Sequence, residues 1–298
     1  MSIIEKAASR LDSNKGASTG SIVSVISPDP KAEPIISSVP HIEENNKSAP
    51  KNNTRQVEID IAQLHKLGMV TPDAARTSIA EEFRLIKRPL LEKAFGHKNK
   101  PIKNGNLIMV ASSLPGEGKT FCAVNLAISI AMELDHTVLL VDADVARPSV
   151  PRYLNLKPDM AFSEIGLMDV LLDDSLNLAD AMLRTNIDTL TILRAGRSHP
   201  RATELLASQS MSALLDEIAS RYPDRIVIFD SPPLLLTTEA RVLASQMGQI
   251  VLVVEAESTT QNVVKEVLRQ IQSCQNINLI YNKAKTLSDG DYYDRYYG

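Results

Sequence analysis

The sequence has little cysteine, no surplus of basic residues, no aromatic residue before Phe83 and no long apolar run, and each lack closes off a class of protein. Two cysteines, Cys122 and Cys274, in 298 residues supply neither a disulfide framework nor a four-ligand zinc site, and they suit a reducing compartment. Lys plus Arg number 32 against 36 Asp plus Glu, a formal charge of −4, which is not the strongly basic footprint of a protein that coats nucleic acid. No apolar stretch approaches the roughly 18 to 20 residues that span a bilayer. The opening MSIIEKAASRLD mixes acid and base without an apolar core segment, against a secretory signal. The expectation is a cytoplasmic protein that neither binds nucleic acid nor inserts into the membrane itself.

What is present is unevenly spread. All twelve aromatic residues, seven Tyr and five Phe, fall at Phe83 or later, while residues 1–50 hold ten Ser and five Pro. That segment has too little bulky apolar surface to offset the entropy of ordering, so 1–55 reads as a largely disordered N-terminal segment, with a tether over 13–55. Within the first dozen residues Ile3, Ile4, Ala7, Ala8 and Leu11 recur at helical spacing, which fits either a short docking helix or a frayed terminus with accidental periodicity. Further on, Ile79, Phe83, Ile86 and Leu90 step by four, three and four, predicting an amphipathic helix over 75–95. Short apolar runs follow: 107-LIMVA-111, 137-TVLLV-141, 189-TLTIL-193, 226-IVIF-229, 250-IVLVV-254 and 277-INLIY-281. Such runs mark strands covered on both faces, and helical stretches such as Cys122–Leu134 and Thr260–Ile271 separate most of them. The prediction for 56–285 is one α/β domain with a doubly wound, mostly parallel sheet.

The most informative stretch is 107-LIMVASSLPGEGKTFCAVNLA-127, an apolar strand, a loop and a helical pattern. A loop at a helix N-terminus aims unpaired N–H groups at whatever lies in front of it, and the helix dipole adds about half a positive charge. Polyphosphate is the natural occupant. Gly116, Glu117 and Gly118 form the loop, the glycines letting the backbone approach phosphate oxygens; Lys119 supplies a mobile charge and Thr120 a hydroxyl for Mg²⁺. The first glycine of G-x-x-x-x-G-K-[ST] is replaced by Ser113. Two further strands end in acids, 137-TVLLV-141 in Asp142 and Asp144, and 226-IVIF-229 in Asp230. In open parallel sheets ligands sit beyond the carboxyl ends of the strands, so these carboxylates and the phosphate loop converge on one edge. Arg147, close behind, reads equally as a phosphate contact or as a partner for an acid.

Three motifs, PGEGKT at 115–120, VLLVDADVARP at 138–148 and IVIFDSPP at 226–233, together with 80-AEEFRLIKRPLL-91, give the chain over 75–298 a resemblance to the bacterial tyrosine autokinases that accompany capsule and exopolysaccharide export. The last element looks especially like the subgroup associated with exosortase sorting systems. The resemblance implies a P-loop NTPase fold and ATP and Mg²⁺ as cofactors. Lys119 is then expected on the outer phosphates, Thr120, Asp142 and Asp230 at the metal, and Asp142 and Asp144 at the incoming phenol. Asn282 is expected near adenine. Glu81, Arg84 and Lys87 are expected to form the contact that closes a ring-like homo-oligomer. The chain departs from the family pattern at Arg147, one residue late, and at Lys87, where Arg is usual. A separate membrane-spanning chain-length or export protein is the implied partner, recruiting the kinase to the inner face of the plasma membrane.

The sequence ends 291-DYYDRYYG-298, so Tyr292, Tyr293, Tyr296 and Tyr297 are four of the seven tyrosines. Gly290 and the aspartates at 289, 291 and 294 argue against a packed strand, and 286–298 reads as a mobile tyrosine-rich tail that serves as phosphoacceptor. The 15 residues from 284 onward span about 50 Å at most, enough to reach a neighbouring subunit's site. The main rival is a partition- or division-type P-loop ATPase switch without kinase activity. Those proteins carry an extra lysine early in the loop, where this chain has Leu114, and no tyrosine tail is expected of them. A nucleotide-binding adaptor is a second rival. Guanine specificity is disfavoured because Lys285 stands where 281-YNKAK-285 would need an aspartate.

Overall fold

A computed structural model describes residues 55–73, 77–96, 102–156, 165–222 and 224–285. The expected docking helix, most of the tether and the tyrosine tail lie outside the described residues.

Eight strands form one sheet: β1 (Arg55–Val57), β2 (Leu107–Ser112), β3 (Thr137–Asp142), β4 (Met182–Thr185), β5 (Leu190–Leu193), β6 (Arg225–Asp230), β7 (Gln249–Glu255) and β8 (Ile277–Asn282). Their order is β1-β4-β5-β3-β6-β2-β7-β8. Every pairing is parallel except β4 with β5. All six expected runs are strands, and the doubly wound, mostly parallel P-loop fold is present. The near-continuous apolar runs have their cause in two-sided burial. Along β2, Leu107 and Met109 join one core, while Ile108 and Val110 join the other. Side chains alternate across a strand, so a strand with helices on both faces must be apolar at every position.

One face is covered by α2 (Ser78–Phe95) and α3 (Lys119–Ala131), the other by α8 (Gln209–Arg221), α9 (Thr238–Ala244) and α10 (Gln261–Gln270). Between them in chain order come α4 (Val150–Tyr153), α5 (Leu167–Leu172), α6 (Leu178–Ala181) and α7 (Ala202–Leu206), with α1 (Ile61–Lys66) before α2. Helix α3 is buried along nearly its whole length and packs on α2 and β3, which fixes the loop in front of its N-terminus against the sheet edge.

Helix α2 begins where Thr77 caps it, its hydroxyl accepting the Ala80 N–H at 3.3 Å. Its inner face carries Ala80, Phe83, Leu90, Leu91 and Ala94, and also Lys87. This sets Lys87 apart from Glu81 and Arg84, with which it is expected to form one contact. Each residue turns a helix by about 100°, so two steps of three leave Lys87 some 120° from Glu81. Glu81 and Arg84 are exposed and pair with one another. Lys87 is 4% exposed; its Nζ lies 2.7 Å from the Glu133 carboxylate and also donates to the Ser129 carbonyl.

Candidate phosphate-binding site

The loop between β2 and α3 contains two residues in the left-handed region, Gly116 at φ 88° and Gly118 at φ 98°. A Cβ on Gly118 would lie 2.1 Å from Asn282 Nδ2, so glycine is required there twice over. No side chain caps α3, which leaves its first-turn N–H groups facing the sheet edge as an anion site. Lys119 and Thr120 follow on the first turn.

The carboxylates from β3 and β6 meet them. Asp142 and Asp230 are register partners on adjacent strands, which puts both at the carboxyl edge. Lys119 Nζ lies 3.0 Å from Asp144 Oδ2 and 3.9 Å from Asp230 Oδ1. The Thr120 hydroxyl donates to Asp230 Oδ2 at 2.7 Å and sits 2.9 Å from Ser149 Oγ. Asp142 Oδ2 accepts the N–H groups of Ser149 at 2.9 Å and Val150 at 3.0 Å. The structure therefore brings Lys119, Thr120, Asp142, Asp144 and Asp230 into one cluster, bordering a cavity of about 470 Å³ that Gly116, Gly118, Lys119, Thr120 and Asp144 help line.

This cluster holds three carboxylates and one ammonium. Asp142 and Asp230 are both fully buried, and the Oδ1 of each has no hydrogen-bond partner. Burial, with the charge of Asp230 beside it, pushes the Asp142 carboxyl up to about 7. Burial likewise raises Asp230 to about 6, although the Lys119 charge and the Thr120 hydroxyl oppose it. Unpartnered anionic oxygens beside a hydroxyl and an anion-binding loop fit a divalent cation held jointly with phosphate. Among the described residues no three His, Cys, Asp or Glu side chains are placed to cage an ion by themselves. Mg²⁺ is suited to such a place, because it keeps waters and phosphate oxygens in its shell and takes only one or two carboxylates.

Two expected nucleotide contacts act otherwise. Glu117 is 2% exposed and turned into the protein, accepting the Leu114 N–H at 2.7 Å and the Thr259 hydroxyl. Asn282 donates to the Glu117 carbonyl at 2.8 Å. Both brace the loop from behind, and neither lines the cavity. The end of β8 adds a third brace that the sequence did not single out: Lys283 Nζ donates to the Gly116 carbonyl at 2.8 Å and pairs with Glu255 at 3.0 Å. Ser149 was also missed. It belongs to no motif, and its contacts with Thr120 across 29 positions and with Asp142 reveal it. The Arg147 N–H donates to Asp144 Oδ1 at 3.1 Å, while its side chain is exposed on the cavity wall.

Comparison with known proteins agrees with this geometry. Residues 105–284 match the AAA domain family model. The chain is 29% identical to tyrosine-protein kinase YwqD of Bacillus subtilis over 79% of its own length and 92% of that protein. It is 27% identical to the succinoglycan biosynthesis transport protein ExoP of Rhizobium meliloti over 79% of its length, but there it covers only 29% of the relative. Among solved structures it resembles the chimerical protein CapA2B2, with TM-score 0.58 and 25% identity over 76% of this chain and 92% of that one. The chain belongs to the AAA domain family, on the branch occupied by the bacterial tyrosine kinases of capsule and exopolysaccharide biosynthesis.

Proposed function

We propose that the chain is an ATP-dependent protein-tyrosine kinase of exopolysaccharide synthesis and export, and that it phosphorylates the C-terminal tyrosines of neighbouring subunits. One observation carries this reading: a lysine and a threonine on the first turn of α3 converge with three aspartates from the ends of β3 and β6 at that helix's uncapped N-terminus. The same reading takes 1–55 as tether, 56–285 as catalytic domain and 286–298 as acceptor tail.

The reaction forms a bond between a tyrosine phenolic oxygen and the γ-phosphorus of ATP and breaks the bond from that phosphorus to the ADP oxygen, with the phenolic proton going to a carboxylate. Gly116, Gly118 and the first turn of α3 would cradle the phosphates, and Lys119 would balance charge on the transferred group. Thr120 and Asp230, with Asp142 beside them, are the residues that fit Mg²⁺; the ion supplies charge neutralisation on the phosphate oxygens. Asp144, which lines the cavity, and Asp142 behind it would take the phenolic proton. A tyrosine of ordinary pKa near 10 needs that help, although positioning and electrostatics carry most of the acceleration.

The same reading assigns Glu81 and Arg84, both exposed on α2, to a contact between copies in a ring-like assembly, with Lys87 supporting the helix from inside. It also assigns a separate membrane-spanning chain-length or export protein as partner, supported by the match to under a third of ExoP. Among the described residues no helix is long and apolar enough to cross a membrane, so recruitment to the inner membrane face would fall to that partner. The motif at 80–91 supports the exosortase-associated subgroup.

The test is phosphotyrosine mapping by mass spectrometry after incubating the full chain with Mg·ATP. Modification on Tyr292, Tyr293, Tyr296 or Tyr297 that disappears in Lys119→Met is expected. ATP hydrolysis without any phosphotyrosine would replace the kinase reading with that of an ATPase switch.

A further inference from the structure

The cavity is larger than the phosphate cluster. Beyond Asp144 its lining continues onto the turn that carries Arg147 and the short helix α4 that carries Arg152, and onto a second loop with Pro233 and Leu236. Both arginines are exposed, and neither makes an ion pair among the described residues. The Arg152 guanidinium lies 5.8 Å over the Tyr153 ring. Leu236 is 62% exposed beside Pro233, an apolar surface within the same cavity.

These features form a wall with two free cations and an apolar shelf at the mouth of a strongly anionic site. Asp142, Asp144 and Asp230 outnumber Lys119, and a bound triphosphate would add more negative charge. An acidic acceptor would therefore be repelled unless cations met it at the rim. The chain's own tail is such an acceptor, with Asp289 and Asp291 just before Tyr292 and Tyr293, and Asp294 just after. A residue adjacent to the reacting tyrosine sits about 3.5 Å along an extended chain, so its carboxylate stays near the cavity mouth when the phenol enters. Leu236 and Pro233 offer apolar contact to the second ring of each tyrosine pair.

We propose that Arg147 and Arg152 form an acceptor subsite that reads the aspartates beside the tail tyrosines, so that the site selects acidic tyrosine-bearing segments, supplied by the tail of a second copy of this chain. The proposal rests on the kinase reading and names the substrate class of that same cavity. Arginine suits the task, because its planar fork matches carboxylate geometry and is always charged.

The test uses the full chain with all four tail tyrosines changed to Phe as enzyme and a synthetic peptide of residues 286–298 as acceptor. Arg147→Gln and Arg152→Gln should each raise the peptide KM roughly two- to fivefold, the size of a rim ion pair, with kcat and the ATP KM unchanged. A peptide with Asp289, Asp291 and Asp294 changed to Asn should lose the same factor with the unaltered arginines and nothing further with both replaced. A rise in the ATP KM with the peptide KM unmoved would place the arginines on the donor and overturn the proposal, as would equal use of the Asp and Asn peptides. Should the arginine-intact enzyme phosphorylate no peptide, the kinase reading fails by itself, and fluorescence anisotropy decides the subsite. A labelled peptide with its tyrosines changed to Phe either loses affinity in the double arginine variant, supporting the subsite, or binds unchanged, ruling it out.

Discussion

Two aspartates with opposite titration behaviour show what a buried carboxylate does in this molecule. Asp142 is buried beside Asp230, and its carboxyl is pushed up to about 7. A carboxyl raised in the folded state binds more protons there than when unfolded, so its effect on stability is least harmful at low pH and worsens as pH rises from about 4 through about 7. Asp142→Asn keeps an oxygen for the Ser149 and Val150 N–H groups while removing the charge. In the absence of nucleotide it should raise stability by roughly 1–3 kcal/mol at pH 8, with the gain narrowing as pH falls toward 6. Thermal unfolding of both proteins across that range checks it, and a destabilised Asn variant at pH 8 would contradict it. Asp169 has the other sign. Burial opposes its charge, but the Arg197 guanidinium and the Arg197 and Gly166 N–H groups outweigh burial and hold the carboxyl below the usual range. That stability is present above the unfolded pKa of about 4 and is lost as pH falls through the folded value. Asp169→Asn should therefore cost roughly 2 kcal/mol at pH 7, shrinking in acid, as measured by urea unfolding.

At the scale of the element, Lys87 separates packing from assembly. Removing its ammonium leaves the Ser129 carbonyl without that donor and Glu133 without its close partner. Lys87→Met should lower stability by about 1–2 kcal/mol, or roughly 3–6 °C for a domain of this size. Arg84→Glu, at an exposed position, should leave the melting temperature within about a degree and act on sedimentation instead. The reverse pattern would return Lys87 to the exposed contact face. This helix also shows where the sequence was legible and where it stopped. The apolar steps at 79, 83, 86 and 90 carry the helical period, and the buried strands carry two-sided apolarity, so both could be read directly. Strands β1 and β4 could not, because RQV and MLRT are three and four residues long and mix polar with apolar side chains at the sheet's far side. The phosphate loop was legible as local chemistry. Its bracing was not, since Thr259 reaches Glu117 across 142 positions and Asn282 reaches it across 165, and no local pattern encodes such distances.

At the scale of the whole molecule, the end of β8 is fastened to the phosphate loop itself. Asn282 and Lys283 fasten the end of β8 to the Glu117 and Gly116 carbonyls, so the last described residues, up to Lys285, lie close in sequence to a brace of their own subunit's phosphate loop. Proximity alone would favour reaction within one chain, whereas a ring contact through Glu81 and Arg84 would deliver the tail to the next. Mixing two variants distinguishes these routes. Lys119→Met keeps the tyrosines but loses the phosphate-binding charge, and the variant with four Phe in the tail keeps the site but has no tail acceptor. Incubated together with Mg·ATP, phosphate should appear on the tail of the Lys119→Met chain, at a rate that rises with the concentration of its partner; absence of label there would assign the reaction to a single chain. On the proposed reading, the product would then act on assembly. Each phosphate adds about −1.5 to −2 charges, so four place roughly −6 to −8 on a tail that already carries three aspartates, opposite a site where carboxylates outnumber the lysine. Repulsion should expel the tail and loosen the ring. Fully phosphorylated protein should sediment as smaller species than the four-Phe variant at equal concentration, and more so at low ionic strength, where the repulsion is least screened. Identical sedimentation of the two forms would leave catalysis intact but remove the switch.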